Sequence, residues 1–388
     1  MKYPLASNSW GEEEIEAIHS VIDSDMYTMG EKVKQFEEEF AKEMGCKHAV
    51  MVNSGSSANL IMLNAAKIKD NWCSTYEWCD DFNIIVPTVA WSTTYFPVKQ
   101  IGATLNFVDV RSDTINIDPH KVVNAIDTHT KAILAVNLLG NPAELRELRN
   151  IAKENDILLL EDNCESFGAT VDGKFAGTWG TMGTFSFFFS HHLQTMEGGM
   201  IITDDDELEQ IMRASRAHGW IREMPDNNKW YEKTGDPFKE PFVFAIPGYS
   251  VRPLEMSGAI GSVQLKKWKN NVEIRRENAE VVKRLFESQP CELQKQLPGH
   301  DSSWYGFSFL VKNRDKIVKK LMSQGIQLRP IMTGNMLRQP VMKHLEPYLT
   351  NTYDCAQKIE DMGFFLGNHP YDAEEDLTEI HKLLSKEL

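Results

Sequence analysis

Apolar and polar residues follow two different periods along this chain, and together they predict an α/β protein. In the first part, apolar residues at helical spacing predict helices over 10–24, 32–44 and 60–66, and a short apolar run predicts a strand over 49–53. From residue 83 onward, short apolar runs alternate with a helical pattern; strands are predicted over 83–86, 104–108, 132–137 and 157–160, with a helix over 142–155. Strands that alternate with helices are typical of a mostly parallel sheet.

The second half contains further helices, an irregular stretch and a second, smaller α/β unit. A helix is predicted over 205–217, a long helix over 254–287, and a smaller α/β unit beyond it. In that unit, strands are predicted over 304–311, 326–331 and 364–367, with helices over 316–325 and 374–388. We therefore predict a large cofactor-binding domain over 1–250 and a small C-terminal α/β domain over 251–388.

Two stretches have no clear period. Residues 67–81 form a polar insertion. Residues 221–248 include the aromatic side chains Trp230, Tyr231, Phe238 and Phe242 among mixed charges. A long irregular segment in a compact domain is usually functional or disordered, so 221–248 is either an ordered loop on the substrate side or a mobile surface excursion.

Charge and cysteine content exclude several classes of protein. The net charge of −15 argues against a nucleic-acid partner or an anionic membrane surface. No signal-peptide pattern and no apolar run near membrane length is present, so we expect a cytoplasmic protein. The six cysteines form no C-x-x-C pair and give no zinc or iron–sulfur signature.

Polar or aromatic residues follow several predicted strands, at the edge where α/β sheets bind ligands. The segment Ser54–Asn59 lies between a strand and a helix, where free N–H groups and hydroxyls form a cradle for phosphate or carboxylate. By itself an ordinary helix cap is the better interpretation. Asp162 ends a buried strand and needs a partner. Three interpretations of this carboxylate remain open: it pairs with a protonated pyridine nitrogen, it caps a helix, or it belongs to a buried ion pair.

The stretch 184–199 is the predicted active centre. Its apolar run ends in His191 and His192, and a glycine pair then opens a second strand. A metal pair is disfavoured because no third ligand has a recognisable spacing. Histidine has the intrinsic pKa of a general acid–base, although a lone histidine is more often structural. No lysine occurs between Lys174 and Lys229.

Taken together, these segments resemble the sugar aminotransferase and dehydratase family of pyridoxal-phosphate enzymes (DegT/DnrJ/EryC1/StrS type), fold type I. The closer resemblance is to its sugar 3-dehydratases of dideoxysugar (colitose) biosynthesis, in which histidine replaces the Schiff-base lysine. The segments that carry the resemblance are Tyr27-Thr28-Met29-Gly30, Ser54-Gly55-Ser56, Val86-Pro87 with Trp91, 162–169, Phe185-Ser186-Phe187, Ser190-His191-His192, Glu197-Gly198-Gly199, Arg216-Ala217-His218-Gly219 and Arg252-Pro253.

The resemblance implies a role for each matching residue. Gly55, Ser56 and Ser186 would bind the phosphate of pyridoxal 5'-phosphate or pyridoxamine 5'-phosphate, and Trp91 would stack on its ring. Asp162 would pair with the ring nitrogen, Glu165 would contact the ring hydroxyl or amine, and His191 would be the acid–base. The family asparagine that reaches the cofactor phosphate of the neighbouring subunit is Ser250 here. The implied contacts to substrate or co-substrate come from His218, Arg222 and Arg329.

The implied reaction removes the C3 hydroxyl from a nucleotide-linked 4-keto-6-deoxy sugar, with GDP-4-keto-6-deoxy-D-mannose favoured. Glutamate would regenerate the amine form of the cofactor, and ammonia would be released. A homodimer with shared active sites is expected. The alternatives are a nucleotide-sugar aminotransferase, which the missing lysine opposes, and a non-catalytic protein that binds pyridoxal phosphate. The sequence suggests no role for His192.

Overall fold

A sheet of eight strands forms the centre of the protein in the computed structural model, which describes residues 2–72, 82–222, 224–349 and 352–388. Its strand order is β1-β9-β8-β5-β4-β2-β3-β14. These strands are β1 His48–Val52, β2 Asn83–Pro87, β3 Thr104–Val108, β4 Thr130–Val136, β5 Leu158–Asp162, β8 Met182–Ser186, β9 Gly199–Thr203 and β14 Tyr348–Leu349.

Helices cover both faces of this sheet and also pack against the smaller sheet of the C-terminal part. They are α1 Glu12–Asp23, α2 Glu31–Met44, α3 Gly55–Lys69, α4 Ser92–Gln100, α5 Pro119–Ala125, α6 Leu145–Glu154, α7 Asp206–Arg216, α8 Glu255–Phe286, α9 Arg314–Ser323, α10 Asp354–Met362 and α11 Glu374–Leu384. In the ranges that the structure describes, no helix has both the length and the apolar composition needed to cross a membrane.

The large sheet is parallel except at one strand. Strands β8, β5, β4, β2, β3 and β14 pair in parallel, whereas β9 runs antiparallel to both β8 and β1. The prediction of a mostly parallel α/β sheet is confirmed. Because the parallel strands all end at the same edge, the residues after β4, β5 and β8 meet there.

Two smaller sheets lie outside the large one. One is antiparallel, with the order β10-β12-β15-β13, and is formed by β10 Glu292–Leu293, β12 Gly306–Leu310, β13 Leu328–Arg329 and β15 Gly363–Gly367. The other joins β6 Thr170–Val171, β7 Lys174–Phe175 and β11 His300–Asp301. The four-stranded sheet has its own apolar cluster, which the C-terminal end of α8 enters through Ala279, Val282 and Phe286.

The domain boundary near residue 251 remains a prediction. The long helix α8 begins just after it and contacts α1 and α2 as well as α11. Strand β14, which also follows the boundary, joins the edge of the large sheet beside β3.

Several elements differ from the prediction for identifiable reasons. Helix α3 begins at Gly55 rather than at residue 60. The sequence did not show this start, because the helix is buried on nearly every side and has little helical periodicity. Helices α4 and α5 were not predicted; α4 contains Pro97, and α5 has seven residues. The strand predicted over 326–331 contracts to Leu328–Arg329.

The two aperiodic stretches have different outcomes. Of the insertion predicted over 67–81, residues 67–69 complete α3, and 73–81 lie outside the described residues. The described part of 221–248 contains one short 3-10 helix, Glu240–Phe242, and several exposed aromatic side chains. Phe238 is the most exposed of them, at 83%.

Candidate active site

A cavity of about 290 Å³ lies at the carboxyl ends of the parallel strands. It lies between the start of α3, the ends of β4, β5 and β8, the loop after β8, and the segment after β13. The predicted site residues that line it are Gly55, Ser56, Trp91, Asp162, Glu165, Ser186, His191 and Arg329.

The start of α3 forms a cradle beside Ser186. Ser54 caps the helix by accepting a hydrogen bond from the Ser57 N–H at 3.1 Å, and its carbonyl accepts from the Ala58 N–H. In the part of the chain that the structure describes, the N–H groups of Gly55 and Ser56 have no protein acceptor, as expected for the first turn of a helix. A Cβ atom at Gly55 would lie 2.6 Å from the Ser186 Cβ, so only glycine leaves this space open.

Asp162 occupies the floor of the cavity at the tip of β5. Its Oδ2 accepts hydrogen bonds from Asn59 Nδ2 and Thr94 Oγ1, each at 2.8 Å, and its Oδ1 accepts one from the Cys164 N–H at 3.1 Å. The residue is only 4% exposed. Three donors from three separate segments therefore fix this carboxylate in one orientation.

The charge of Asp162 identifies the kind of group that would complete the site. Among the described residues, no lysine, arginine or histidine forms an ion pair with it. A buried carboxylate is costly unless a cation or hydrogen bonds compensate it. A protonated pyridine nitrogen supplies a cation, and the cradle at α3 supplies N–H groups for a phosphate. The residues present therefore fit pyridoxal phosphate.

Glu165 follows Asp162 on the same side of the cavity. Its Oε2 accepts a hydrogen bond from the Leu139 N–H at 2.9 Å. Burial, together with the negative charge of Asp162, raises the pKa of Glu165 to about 8. Glu165 therefore carries a proton at neutral pH and can donate it to a ligand in the cavity.

His191 lies in a loop rather than at the end of a strand. Strand β8 ends at Ser186, so only the first part of the apolar run that precedes the two histidines is a strand. Beyond the strand, Phe188 and Phe189 are partly exposed, and they contact His191 and Trp10, respectively. Hydrogen bonds from the Phe187 N–H to the Gly198 carbonyl and from the Thr195 N–H to the Phe187 carbonyl, both 2.9 Å, close the base of this loop.

The imidazole of His191 stacks on the ring of Tyr305. Their ring centroids are 5.2 Å apart and their planes meet at 30°. Nδ1 is buried without a hydrogen-bond partner, which leaves Nε2 as the nitrogen that can reach the cavity. Burial, with a smaller effect from the charge of Arg275, lowers the pKa of His191 to about 3. The imidazole is therefore neutral at physiological pH and can accept a proton.

His192 has a structural role that the sequence did not indicate. It is 3% exposed, and its Nε2 lies 3.0 Å from the Ser303 carbonyl oxygen, to which it donates. Burial and the nearby Arg275 hold its pKa well below the usual range, so it stays neutral. His192 thus ties the loop of His191 to the segment that carries Tyr305.

Three predicted residues lie outside the cavity. Ser250 is exposed and bridges to Ala217. His218 has a positive φ of 65° and packs against Trp220. The Arg222 guanidinium lies 4.0 Å from the centre of the Trp220 ring and 5.1 Å from that of Phe242. These residues share one exposed region with the 221–248 loop.

Sequence reasoning missed Asn59 and Thr94, the two side chains that bond Asp162, and Tyr305, which stacks on His191. Asn59 belongs to the cradle segment and Thr94 follows Trp91 by three residues, so both were near a recognised signal. Tyr305 had no local signal. Among the described residues, no group of three or more His, Cys, Asp and Glu side chains could hold a metal ion.

Comparison with known proteins gives consistent matches over nearly the whole chain. The model of the DegT/DnrJ/EryC1/StrS aminotransferase family matches residues 8–385. The chain is 49% identical to GDP-4-keto-6-deoxy-D-mannose 3-dehydratase of Yersinia pseudotuberculosis, over 100% of this chain and 99% of that protein.

Two solved structures show the same similarity. A mutant of GDP-4-keto-6-deoxymannose-3-dehydratase (ColD) with bound GDP-perosamine has a TM-score of 0.94 and 47% identity, covering 99% of this chain and 100% of the other. The structure of GDP-4-keto-6-deoxymannose-3-dehydratase with a trapped PLP-glutamate geminal diamine gives the same TM-score, identity and coverage.

Proposed function

The chain belongs to the DegT/DnrJ/EryC1/StrS aminotransferase family, and from this premise we propose that it is a pyridoxal-phosphate-dependent 3-dehydratase of GDP-4-keto-6-deoxy-D-mannose. The resemblance and the fold type I expected from the sequence are confirmed. The observation that carries the proposal is the composition of the cavity: it presents His191, and no lysine lines it in the described part of the chain. An aminotransferase that uses pyridoxal phosphate needs a lysine amine to bind the cofactor covalently.

The cofactor would be held without a covalent bond to the protein. The Gly55 and Ser56 N–H groups and the Ser186 hydroxyl would bind its phosphate, Trp91 would cover one face of the ring, and Asp162 would pair with the ring nitrogen. Glu165 would donate its proton to the ring hydroxyl or to the amine.

When bound, pyridoxamine phosphate supplies an amine for the 4-keto carbon of the sugar and a ring that stores an electron pair. In that setting His191 would accept, through Nε2, the proton released next to the amine. The same imidazole would then donate that proton to the C3 hydroxyl oxygen of the sugar, which would leave as water. General acid–base help of this kind contributes on the order of 10²–10⁴ in rate.

The depressed pKa of His191 suits the second half of this sequence. A group whose pKa is about 3 is a weak base, but once protonated it is a strong acid. The imidazolium therefore gives up its proton readily to a poor leaving group such as hydroxide. In the overall balance, sugar and glutamate give the 4-keto-3,6-dideoxy sugar, 2-oxoglutarate and ammonia.

The substrate side of the site would be completed by a second copy of the chain. Arg329 lines the cavity of its own protomer, whereas His218, Arg222 and Ser250 lie outside it on an exposed region. Phe238, Phe242 and Phe244 are exposed in the same region, between 56% and 83%. In a homodimer this region would face the partner's cavity, with Arg222 and His218 directed at the nucleotide sugar. The cytoplasmic setting remains a prediction.

One assay tests the proposal against both alternatives. The protein, pyridoxal phosphate and glutamate are incubated with the GDP-, CDP- or dTDP-linked 4-keto-6-deoxy sugar, and ammonia, 2-oxoglutarate and the sugar product are measured. The dehydratase releases ammonia with a 3,6-dideoxy product and prefers the GDP sugar. An amino sugar without ammonia would identify an aminotransferase. Cofactor binding without any product would identify a binding protein.

A further inference from the structure

The reactive imidazole of His191 is not oriented by a hydrogen bond. Within the described residues its Nδ1 is buried and has no partner, and no hydrogen bond joins Nε2 to the protein. An acid–base histidine is commonly oriented by a carboxylate or carbonyl at its second nitrogen. His192, the next residue, is oriented in this way by the Ser303 carbonyl. His191 has no equivalent partner among the described residues.

The face of the His191 ring is covered instead. Tyr305 stacks on it and also lies at 6.1 Å and 49° from His192. The backbone of Tyr305 is held because its N–H donates to the Leu139 carbonyl at 2.9 Å. Its hydroxyl lies 3.0 Å from the Ser190 hydroxyl.

The backbone around Tyr305 is fixed by close approach to Gly140. A Cβ atom at Gly140 would lie 2.6 Å from the Trp304 nitrogen and 2.7 Å from that of Tyr305, and the φ of Gly140 is 87°. The Ser303 N–H also donates to the Gly140 carbonyl at 2.9 Å. Tyr305 is therefore a rigid surface for the imidazole, and no described hydrogen bond fixes the direction of the imidazole nitrogens.

We infer that Tyr305 is the positioning residue of His191: its ring fixes the plane of the imidazole and leaves both nitrogens unpinned, so that one side chain serves two proton transfers at two places. This inference rests on the dehydratase function proposed above. Rings with centroids about 4.5–7 Å apart attract one another through their faces and edges, and this attraction does not occupy either imidazole nitrogen as a hydrogen bond would. A hydrogen bond at Nδ1 would hold Nε2 at one of the two places only.

Removing the ring of Tyr305 would also admit water to His191. Burial is the main reason for its low pKa, so exposure would move that pKa toward the ordinary value. The charged or titratable groups around the imidazole are Asp162, Glu165, Glu197, Arg329, Arg275, His192 and Tyr305 itself. The charged or titratable groups other than Tyr305 stay in place in a Tyr305→Leu variant, so the change in solvation is the main change at the imidazole.

The test compares three variants in the complete, cofactor-loaded protein. Tyr305→Leu removes the ring and keeps apolar bulk. Tyr305→Phe keeps the ring and removes the hydroxyl, and Ser190→Ala removes the same hydrogen bond from the other side. We expect Tyr305→Leu to lower kcat about 10²-fold, the usual effect of misplacing a reacting group by about 1 Å, with the cofactor Kd within about 3-fold of wild type. Tyr305→Phe and Ser190→Ala should keep kcat within about 3-fold.

Two measurements separate positioning from a structural role. In Tyr305→Leu the acid limb of the kcat/KM profile, which reports the enzyme before the sugar binds, should lie at higher pH than in wild type, in the direction of the ordinary histidine pKa of about 6.5. In the apoprotein with ¹⁵N-labelled histidine, the His191 signals, identified by their loss in His191→Asn, should be those of a neutral ring at pH 6 in wild type. In Tyr305→Leu they should titrate.

The outcomes decide the inference independently of the proposed function. An inactive wild type overturns the proposed function, while the imidazole signals still test the Tyr305 contact. If wild type is active and Tyr305→Leu keeps both its rate and its pH profile, the inference is wrong. A large loss in Tyr305→Phe would also overturn it, since the hydroxyl would then be the working group. Should Tyr305→Leu fail to fold, Tyr305→Met takes its place, because methionine fills irregular gaps.

Discussion

Asp162 and His191 line one cavity, and the protein holds them in opposite ways. Asp162 is fixed by three hydrogen bonds from Asn59, Thr94 and the Cys164 backbone. His191 receives no side-chain hydrogen bond in the described structure and is held by its backbone and by the Tyr305 ring. The Asp162 side of the site, called the pinned side below, is fixed in direction by hydrogen bonds. On the His191 side, only the plane of the imidazole is restricted.

The difference follows from what each side does. A charge that stabilises one ring nitrogen acts best when it is preorganised, because no reorganisation is then needed during the reaction. A proton carrier has to reach two atoms in succession, so a rigid hydrogen bond at its second nitrogen would favour one step at the expense of the other. Each of the following experiments alters one side and leaves the other intact.

The largest effect is expected from His191→Asn. Asparagine cannot accept and return a proton, so dehydration should fall by at least about 10³-fold, while the cofactor, held by the opposite side, still binds. Turnover is measured by ammonia release and cofactor binding by absorption. Retained turnover would remove His191 from the acid–base role.

His191→Lys is the matched control for the position. An amine there should bind pyridoxal phosphate covalently, which borohydride reduction followed by mass spectrometry detects. Failure to trap the cofactor would mean that residue 191 does not face it.

Asp162→Asn alters the pinned side and should have the next largest effect. The amide is similar in shape but carries no charge, and its NH₂ group faces either the Cys164 N–H or the donors Asn59 and Thr94. We expect kcat to fall about 10²-fold and the cofactor to bind more weakly, since a preorganised charge is lost. The measurements are kcat and the cofactor Kd. An unchanged cofactor Kd would contradict the pairing of Asp162 with the ring.

Thr94→Val tests a single hydrogen bond of the pinned side. Losing one bond to a charged group costs about 1.5–3 kcal/mol, so cofactor affinity should fall about 10- to 100-fold. Ser190→Ala is its counterpart beside Tyr305 and should leave the affinity within about 3-fold, because no described hydrogen bond joins Ser190 to Asp162. Both affinities are measured by titrating the apoprotein. Equal losses would abolish the distinction between the two sides.

The last prediction concerns stability in acid rather than turnover or cofactor affinity. Burial, and secondarily the charge of Arg275, lowers the pKa of His369 to about 4, as burial does for His191. Between that value and the unfolded pKa of about 6.5 the unfolded chain binds more protons. Stability should therefore fall as the pH drops from about 6.5 to about 4, by up to about 1.4 kcal/mol per pH unit for each such histidine. Urea unfolding at each pH measures the slope.

His369→Gln should flatten this slope, and His120→Gln, at an exposed position, should not. The comparison uses the slope rather than the absolute stability, because His369 also stacks on Tyr371. Equal slopes in both variants would assign the acid sensitivity to other groups.

The sequence predicted the parts of this molecule that depend on local pattern. Strands β2, β3 and β5 were predicted correctly, because strands buried on both faces appear in the sequence as short continuous apolar runs. Helix α3 was located only in part, because a helix buried all round lacks an apolar stripe. The ends of parallel strands then brought Gly55, Asp162 and Ser186 to one edge by topology alone.

The remaining parts depend on contacts between distant segments. The carboxylate of Asp162 was predicted, but its donors Asn59 and Thr94 reach it from two helices whose orientation no local pattern specifies. Tyr305 is further still along the chain and meets His191 only after the four-stranded sheet has docked. The role of His192 became visible for the same reason, through its bond to Ser303.

The close approach of Gly140 to Trp304 and Tyr305 has a consequence for how the molecule opens. The amides of Ser303 and Tyr305 are protected by the carbonyls of Gly140 and Leu139, so separating these segments exposes both amides and removes the stack from His191 in a single event. Protection from hydrogen exchange at these two amides therefore reports the fraction of molecules competent for proton transfer. Local unfolding of these segments would therefore stop proton transfer while the cofactor is still bound.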